Sequence, residues 1–167
     1  MTPAPLRAIN GGMERTGDPN DAGVEQPARV PPVRVVLADD HAGFRRGLKE
    51  MLETDGGIEV AGEAEDGARA VALVGEARPD VVVLDVAMPV MGGAEAMGLI
   101  LREVSPPPGV VILTMHDRPR LRRELLGAGA SAFLAKSASL AEIVAAVKGS
   151  RPKRPPRGDL GEVPPTA

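Results

Sequence analysis

Cysteine is absent from this chain of 167 residues, and so are tryptophan and tyrosine. Without thiols the protein can form neither disulfide bonds nor thiolate metal sites. The two aromatic residues are Phe44 and Phe133, so a folded core must be built mainly from aliphatic side chains. So few rings also argue against a protein that binds single-stranded nucleic acid by stacking on its bases.

Long apolar segments and an excess of positive charge are missing as well. No segment reaches the roughly 20 apolar residues of a membrane-spanning helix, and the first residues lack the apolar core of a signal peptide. The formal net charge is −3 at pH 7, which does not indicate a basic surface for nucleic acid. We therefore expect a cytoplasmic protein without membrane association.

The composition changes near both ends of the chain. Residues 1–32 are rich in proline and glycine, residues 150–167 are rich in proline and arginine, and neither segment shows a periodic apolar pattern. Such segments bury too little apolar surface to offset the entropy of the chain. The sequence thus predicts a disordered N-terminal arm (1–32), a single folded domain (33–149) and a disordered tail (150–167).

Within the predicted domain, five apolar runs alternate with five segments of helical periodicity. The predicted strands are 33–38, 58–64, 81–85, 110–114 and 131–135. A helical pattern follows each strand, and the last opens with Ser139 and Glu142, the spacing of a capping box. With short links and right-handed crossovers, this order predicts an α/β fold, a doubly wound parallel sheet of five strands with helices on both faces.

Polar residues stand where four of the predicted strands end. They are Asp39, Asp40, Asp85, Thr114 and Lys136. Ligands of doubly wound sheets bind beyond the carboxyl ends of the strands, so these side chains should meet at one edge. The run "VVVLD" leads four apolar residues straight into an acid, which is costly to bury unless a partner or a reaction requires it there.

Converging carboxylates repel one another unless a cation lies between them, and their oxygens favour magnesium. Lys136 and Thr114 are suited to holding phosphoryl oxygens, and a carboxylate in such a site can itself accept a phosphoryl group. Two structural alternatives stay open at this point. Asp39 and Asp40 could cap a helix, and Asp85 with Lys136 could form an ion pair that only stabilises the fold.

Four sequence blocks in this order carry a resemblance to a known family. They are "VVLADDH", "VVVLDVAMP", "VVILTMH" and "GASAFLAK". Together they resemble the receiver domain of bacterial two-component response regulators, and most closely the subfamily that usually carries a C-terminal helix-turn-helix of the LuxR type. The resemblance covers residues 33–148 and implies the flavodoxin-like receiver fold.

The resemblance also implies a role for each matching residue. Asp85 would accept a phosphoryl group from a sensor histidine kinase, which makes the protein a switch rather than an enzyme. Asp39, Asp40, Asp85 and the backbone carbonyl of Ala87 would hold Mg²⁺. Lys136 would contact Asp85 and then the phosphoryl oxygens. Thr114 would move to bind the phosphoryl group, and Phe133 would follow it inward to change the surface that partners contact.

The chain departs from the family pattern in several places, and two of these departures affect the acceptor loop and the output. The segment "MPVMGG" replaces the usual Met-Pro-Gly-Met-Asp-Gly, so Val90 and Gly92 alter the loop after the acceptor. No helix-turn-helix pattern follows Gly149, so we expect these residues not to bind DNA. The chain would then be either a stand-alone receiver or a regulator that has lost its output domain. The resemblance also implies a possible homodimer through the face between the fourth and fifth helices.

One alternative belongs to a different functional class. Magnesium-dependent phosphatases of the haloacid dehalogenase type also use an aspartate at a strand end as the nucleophile. Their pattern places a second aspartate two residues later, where this chain has Ala87 after Asp85 and His41 after Asp39. The sequence therefore disfavours this alternative.

Overall fold

The structure is a computed structural model that describes residues 30–153. Most of the two segments predicted to be disordered, 1–32 and 150–167, lies outside the described residues. The strands are β1 (Val33–Ala38), β2 (Ile58–Ala64), β3 (Val81–Leu84), β4 (Gly109–Thr114) and β5 (Ala132–Ala135). The helices are α1 (Ala42–Thr54), α2 (Gly67–Ala77), α3 (Gly93–Glu103), α4 (Pro119–Gly127) and α5 (Leu140–Gly149).

The predicted fold class is confirmed. All strand pairs are parallel, and the strand order is β2-β1-β3-β4-β5. Because the chain winds from β1 outward in both directions, the order reverses beside β1 and β3. This is the position at which doubly wound sheets bind ligands.

Alternate residues of the central strands serve two separate cores. Val82 and Leu84 pack on one face of the sheet with residues from α2, α3 and α4. Val81 and Val83 pack on the other face with residues from α1 and α5. The unbroken apolar run of β3 is thus explained by burial on both faces, as is usual for central parallel strands.

Three strand boundaries differ from the prediction by one residue, and one of them is the start of β4, which lies at Gly109 rather than Val110. β3 ends at Leu84, so Asp85 begins the following loop, although its N–H still donates to Ala38 O at 2.9 Å. β5 begins at Ala132, although Ser131 still bonds to β4: its N–H donates to Val110 O at 2.7 Å and its hydroxyl oxygen accepts the N–H of Val110 at 3.2 Å. The predicted capping box of α5 is present, with both of its hydrogen bonds between Ser139 and Glu142.

The loop between β3 and α3 is shaped by two unusual backbone positions. Val90 adopts a left-handed φ of 66° with an exposed side chain, at the position where the family usually has glycine. A Cβ at Gly93 would lie 2.0 Å from the carbonyl oxygen of Asp85, so only glycine allows α3 to begin this close to the acid. The sequence of this loop therefore fixes where Asp85 sits.

Candidate functional site

Lys136 joins two of the predicted acids at the carboxyl edge of the sheet. Its Nζ atom lies 2.5 Å from Asp39 Oδ2 and 2.9 Å from Asp85 Oδ2. All three side chains are buried, with between 5% and 7% of their surface exposed. The ends of β1, β3 and β5 thus bring together residues separated by almost a hundred positions in sequence.

The acids around Lys136 determine its charge state. Burial alone lowers the pKa of the Lys136 ammonium, but hydrogen bonds to Asp39 and Asp85, together with their charges, raise it above the ordinary lysine value. The side chain therefore stays protonated at neutral pH. It is a fixed positive charge beside Asp85 Oδ2, where it can stabilise further negative charge.

Asp39 and Asp40 do not cap α1. The N-cap residue of this helix is His41, which makes no side-chain capping bond, and Asp39 Oδ1 instead accepts the N–H of His41 at 2.8 Å. Asp40 lies nearer to solvent, with its Oδ1 atom 3.1 Å from His41 Nδ1. The helix-cap alternative left open by the sequence is therefore wrong, and the pair faces the strand ends.

Thr114 and Ala87 flank this group at the ends of β4 and β3. The Thr114 side chain is fully buried, and its hydroxyl oxygen accepts the N–H of His116 at 3.1 Å. Ala87 is exposed, and its N–H donates to Asp85 Oδ1 at 3.4 Å. Asp85 therefore has one oxygen directed to Lys136 and the other to the following loop.

The donor atoms at this edge fit a hard divalent cation. Asp39, Asp40 and Asp85, with His41, can present ligand atoms that all lie within 4.8 Å of one another. Three carboxylates and one ammonium give a formal charge of −2, which a single divalent ion would neutralise. Carboxylate oxygens, with room for water and phosphoryl oxygens, are the ligands that Mg²⁺ prefers.

Comparison with protein families agrees with this geometry. Residues 35–148 match the family described as the response regulator receiver domain. The chain belongs to this family. A receiver domain is a signalling switch rather than an ordinary enzyme. The family match therefore favours the receiver domain over the phosphatase alternative.

Individual relatives of this receiver domain come from the subfamily suggested by the sequence. A probable transcriptional regulatory protein NarL of Mycobacterium tuberculosis is 42% identical over 115 residues, which cover 69% of this chain and 53% of that protein. The solved signal receiver domain of NarL from the same species is 39% identical with a TM-score of 0.67, covering 71% of this chain and 95% of that structure. A LuxR-family response regulator from Aurantimonas is 35% identical with a TM-score of 0.66, covering 72% and 88%.

The receiver domain spans about half the length of the curated relatives it matches. Among residues 30–153, no helix combines the length and apolar character that crossing a bilayer would require.

Phe133, the residue that the resemblance implies to be the aromatic switch, lies inside the receiver domain. Its side chain is 4% exposed and packs in the core beside α4. The Arg122 guanidinium lies 4.9 Å from the centre of its ring and donates to Phe133 O at 3.1 Å. Arg122 also pairs with Asp117 at 2.8 Å, so this arginine ties the loop after β4, α4 and β5 together.

Sequence reasoning missed two residues of the site, Phe44 and Arg45. The sequence pattern indicates no more than an apolar aromatic side chain at Phe44, yet the Lys136 ammonium lies 4.6 Å from its ring centroid. Arg45 donates to the carbonyl oxygen of Asp39 and pairs with Glu63 at 3.2 Å. The available signal was their place in the first turn of the helix that follows Asp39 and Asp40.

Proposed function

We propose that this receiver domain accepts a phosphoryl group on Asp85 from the phosphohistidine of a sensor histidine kinase. The observation that carries the proposal is the buried contact of 2.9 Å between Lys136 Nζ and Asp85 Oδ2, next to two further acids. A carboxylate that is held by a fixed cation at the carboxyl edge of the sheet is suited to act as a nucleophile.

The proposed step forms a P–O bond to a carboxylate oxygen of Asp85 and breaks the P–N bond of the phosphohistidine. The imidazole leaves with the electron pair of that bond and takes up a proton. Lys136 stabilises the negative charge on the transferred oxygens, and the Thr114 hydroxyl can exchange its bond from His116 N–H for one to the phosphoryl group.

Asp39, Asp40, Asp85 and the backbone carbonyl of Ala87 are the proposed ligands of Mg²⁺. The ion would supply neutralising charge for the carboxylates and the phosphoryl oxygens. The spacing of the carboxylate oxygens and the net negative charge of the cluster support this assignment.

We propose that Thr114 and Phe133 transmit the change to the surface formed by α4, β5 and α5. Phe133 is already buried, so a large swing from solvent into the core is not available to it in this structure. The contacts of Arg122 with the Phe133 ring, Phe133 O and Asp117 offer another route. A shift of Thr114 at the end of β4 would be passed through the Asp117 loop and Arg122 to α4.

Phosphorylation can be tested directly with a small phosphodonor. The protein is incubated with Mg²⁺ and acetyl phosphate, and its intact mass is then measured by mass spectrometry. We expect the mass of one phosphoryl group to be added to the wild type and to Asp80→Asn, and not to Asp85→Asn. Asp80 is a matched control, because it is also a buried acid and precedes the strand that Asp85 follows. An equal gain in Asp85→Asn would remove Asp85 from the role.

We also propose that phosphorylation promotes a homodimer through the face between α4 and α5. Leu126 on α4 and Leu140 at the start of α5 are large apolar side chains that are more than a third exposed. Light scattering with and without beryllofluoride, which mimics the phosphoryl group, should show a doubled mass that Leu126→Asp abolishes. An unchanged mass in the wild type would contradict dimerisation.

A second candidate is that the receiver regulates transcription as part of a longer protein. It is favoured by coverage of 53% of a relative that is itself described as a probable transcriptional regulatory protein. Translating the downstream nucleotide sequence in all three frames tests this candidate. A helix-turn-helix pattern in any frame supports it, and its absence there supports a receiver that acts through protein partners.

A further inference from the structure

The ring of Phe44 faces the ammonium of Lys136 at the proposed phosphorylation site. Its centroid lies 4.6 Å from Nζ, within the distance at which the face of an aromatic ring attracts a cation. The lysine is almost fully buried, so little water competes with this attraction. Since the chain contains only two aromatic residues, this ring is the main aromatic contact available to the site.

The ring contacts Lys136 in a way that the carboxylates cannot. A lysine ammonium has three N–H donors, and Asp39 Oδ2 and Asp85 Oδ2 each accept one within 2.9 Å. An aromatic face attracts the positive charge without offering a carboxylate or carbonyl oxygen. The ammonium is thus held in place while it stays able to redirect a hydrogen bond to a new oxygen acceptor.

Phe44 also borders two spaces beside the site. It lines a small pocket together with Asp39 and Asp85. It also lines an open groove, together with Met115 and Lys136. The ring therefore borders both the space beside the acids and the groove beside Lys136.

We propose that Phe44 is a positioning residue for phosphoryl transfer, which holds the Lys136 ammonium over Asp85 through the face of its ring. This inference rests on the proposed function of Asp85. It predicts that the aromatic face, and not merely the volume of the side chain, is required. Phe44→Tyr keeps the face, whereas Phe44→Leu keeps an apolar side chain and loses it.

The control is a packing change in the same helix that does not contact the site. Leu52 is fully buried on α1, two turns after Phe44, and packs in the core shared with α5. Leu52→Val therefore reports what a general loosening of α1 does. Urea unfolding followed by circular dichroism places the variants on a common stability scale.

The experiment measures beryllofluoride binding in the presence of Mg²⁺ by ¹⁹F NMR, and the acetyl phosphate dependence of phosphorylation. We expect Phe44→Leu to weaken beryllofluoride binding and raise the half-saturating concentration of acetyl phosphate by about three- to tenfold. Phe44→Tyr should restore both to within about twofold, and Leu52→Val should leave both unchanged. The Hε protons of Lys136 should move downfield in Phe44→Leu as the ring current is lost.

Two results would overturn the inference. One is wild-type binding and half-saturation in Phe44→Leu, and the other is an equal loss in Phe44→Leu and Leu52→Val, which would show a structural effect only. Failure of the proposed function looks different, because the wild type itself would then gain no phosphoryl group.

Discussion

Two lysine–aspartate pairs with the same distance between their charged atoms lie at opposite edges of the sheet. Lys136 and Asp39 are 2.5 Å apart at the carboxyl edge, and Lys148 and Asp55 are 2.5 Å apart where α1 and α5 end. The first pair is buried, whereas the lysine and aspartate of the second are 44% and 27% exposed. Distance alone therefore does not distinguish the proposed site from a surface ion pair.

The two pairs differ in their balance of charge. Lys148 and Asp55 neutralise each other in contact with water, so the pair has no need of a further ion. Lys136 is surrounded by Asp39, Asp85 and, nearby, Asp40, which leaves a buried excess of negative charge. A buried excess is costly, and a bound divalent cation can relieve it. The imbalance, rather than the ion pair, is the feature that indicates function.

Replacing the lysine of each pair should reveal the largest difference in stability between the two edges. Lys136→Met leaves two buried acids without their cation, and we expect it to lower the free energy of unfolding by about 3 kcal/mol. Lys148→Met should have a much smaller effect, because water replaces the lost partner of an exposed acid. Urea unfolding followed by circular dichroism measures both variants, since the chain has no tryptophan to report by fluorescence.

Added Mg²⁺ should sharpen this result. It should restore part of the stability of Lys136→Met, because the ion can neutralise the acids that the lysine served, and it should not change the effect of Lys148→Met. Equal losses in the two variants, with no response to Mg²⁺, would contradict the view that the two edges differ in kind.

Much of the fold and the polar residues of the edge were predictable from the sequence. Buried parallel strands require apolar β-branched runs, and the topology then forces the residues that follow Ala38, Leu84 and Ala135 to one edge. The contacts within that edge were not predictable. Whether Lys136 pairs with Asp39 as well as Asp85, and whether a ring lies over it, depends on side-chain packing that no periodicity encodes.

Two glycines allow the backbone at the two edges to be compared. We expect Gly93→Ala to lower stability by about 2 kcal/mol, because its Cβ would overlap the backbone carbonyl of Asp85, which cannot move aside. A Cβ at Gly57 would lie 3.1 Å from the ends of the Asp55 and Lys148 side chains, which can rotate away. Gly57→Ala should therefore be nearly neutral in the same unfolding experiment. Similar losses would show that both edges are packed equally tightly.

Backbone strain should also differ between the edges. Val90, beside the proposed site, has a left-handed φ of 66°, and Arg78, at the opposite edge, has one of 47°. We expect Val90→Gly to raise the free energy of unfolding by about 1 kcal/mol, because a β-branched residue is strained in this region. Arg78→Gly should raise the free energy of unfolding by less, because it also removes the hydrogen bond that the Arg78 guanidinium donates to Ser105 O. Thermal unfolding of the two variants measures both gains in stability. A larger gain in Arg78→Gly than in Val90→Gly would contradict this assignment of strain.

The smallest expected effect concerns the surface pair and its dependence on pH. A hydrogen bond from Lys148, assisted by its charge, holds the pKa of the Asp55 carboxyl below the ordinary value of 3.8. The stabilisation is thus complete above 3.8 and is lost as the pH falls through the lowered pKa. The coupling measured by a double-mutant cycle of Asp55→Asn and Lys148→Met should therefore disappear in acid. The pKa of Lys136 is raised instead, so the stabilisation that comes from its protonated form should be lost as the pH rises above 10.5. A coupling between Asp55 and Lys148 that survived in acid would mean that contacts other than their charges hold this pair together.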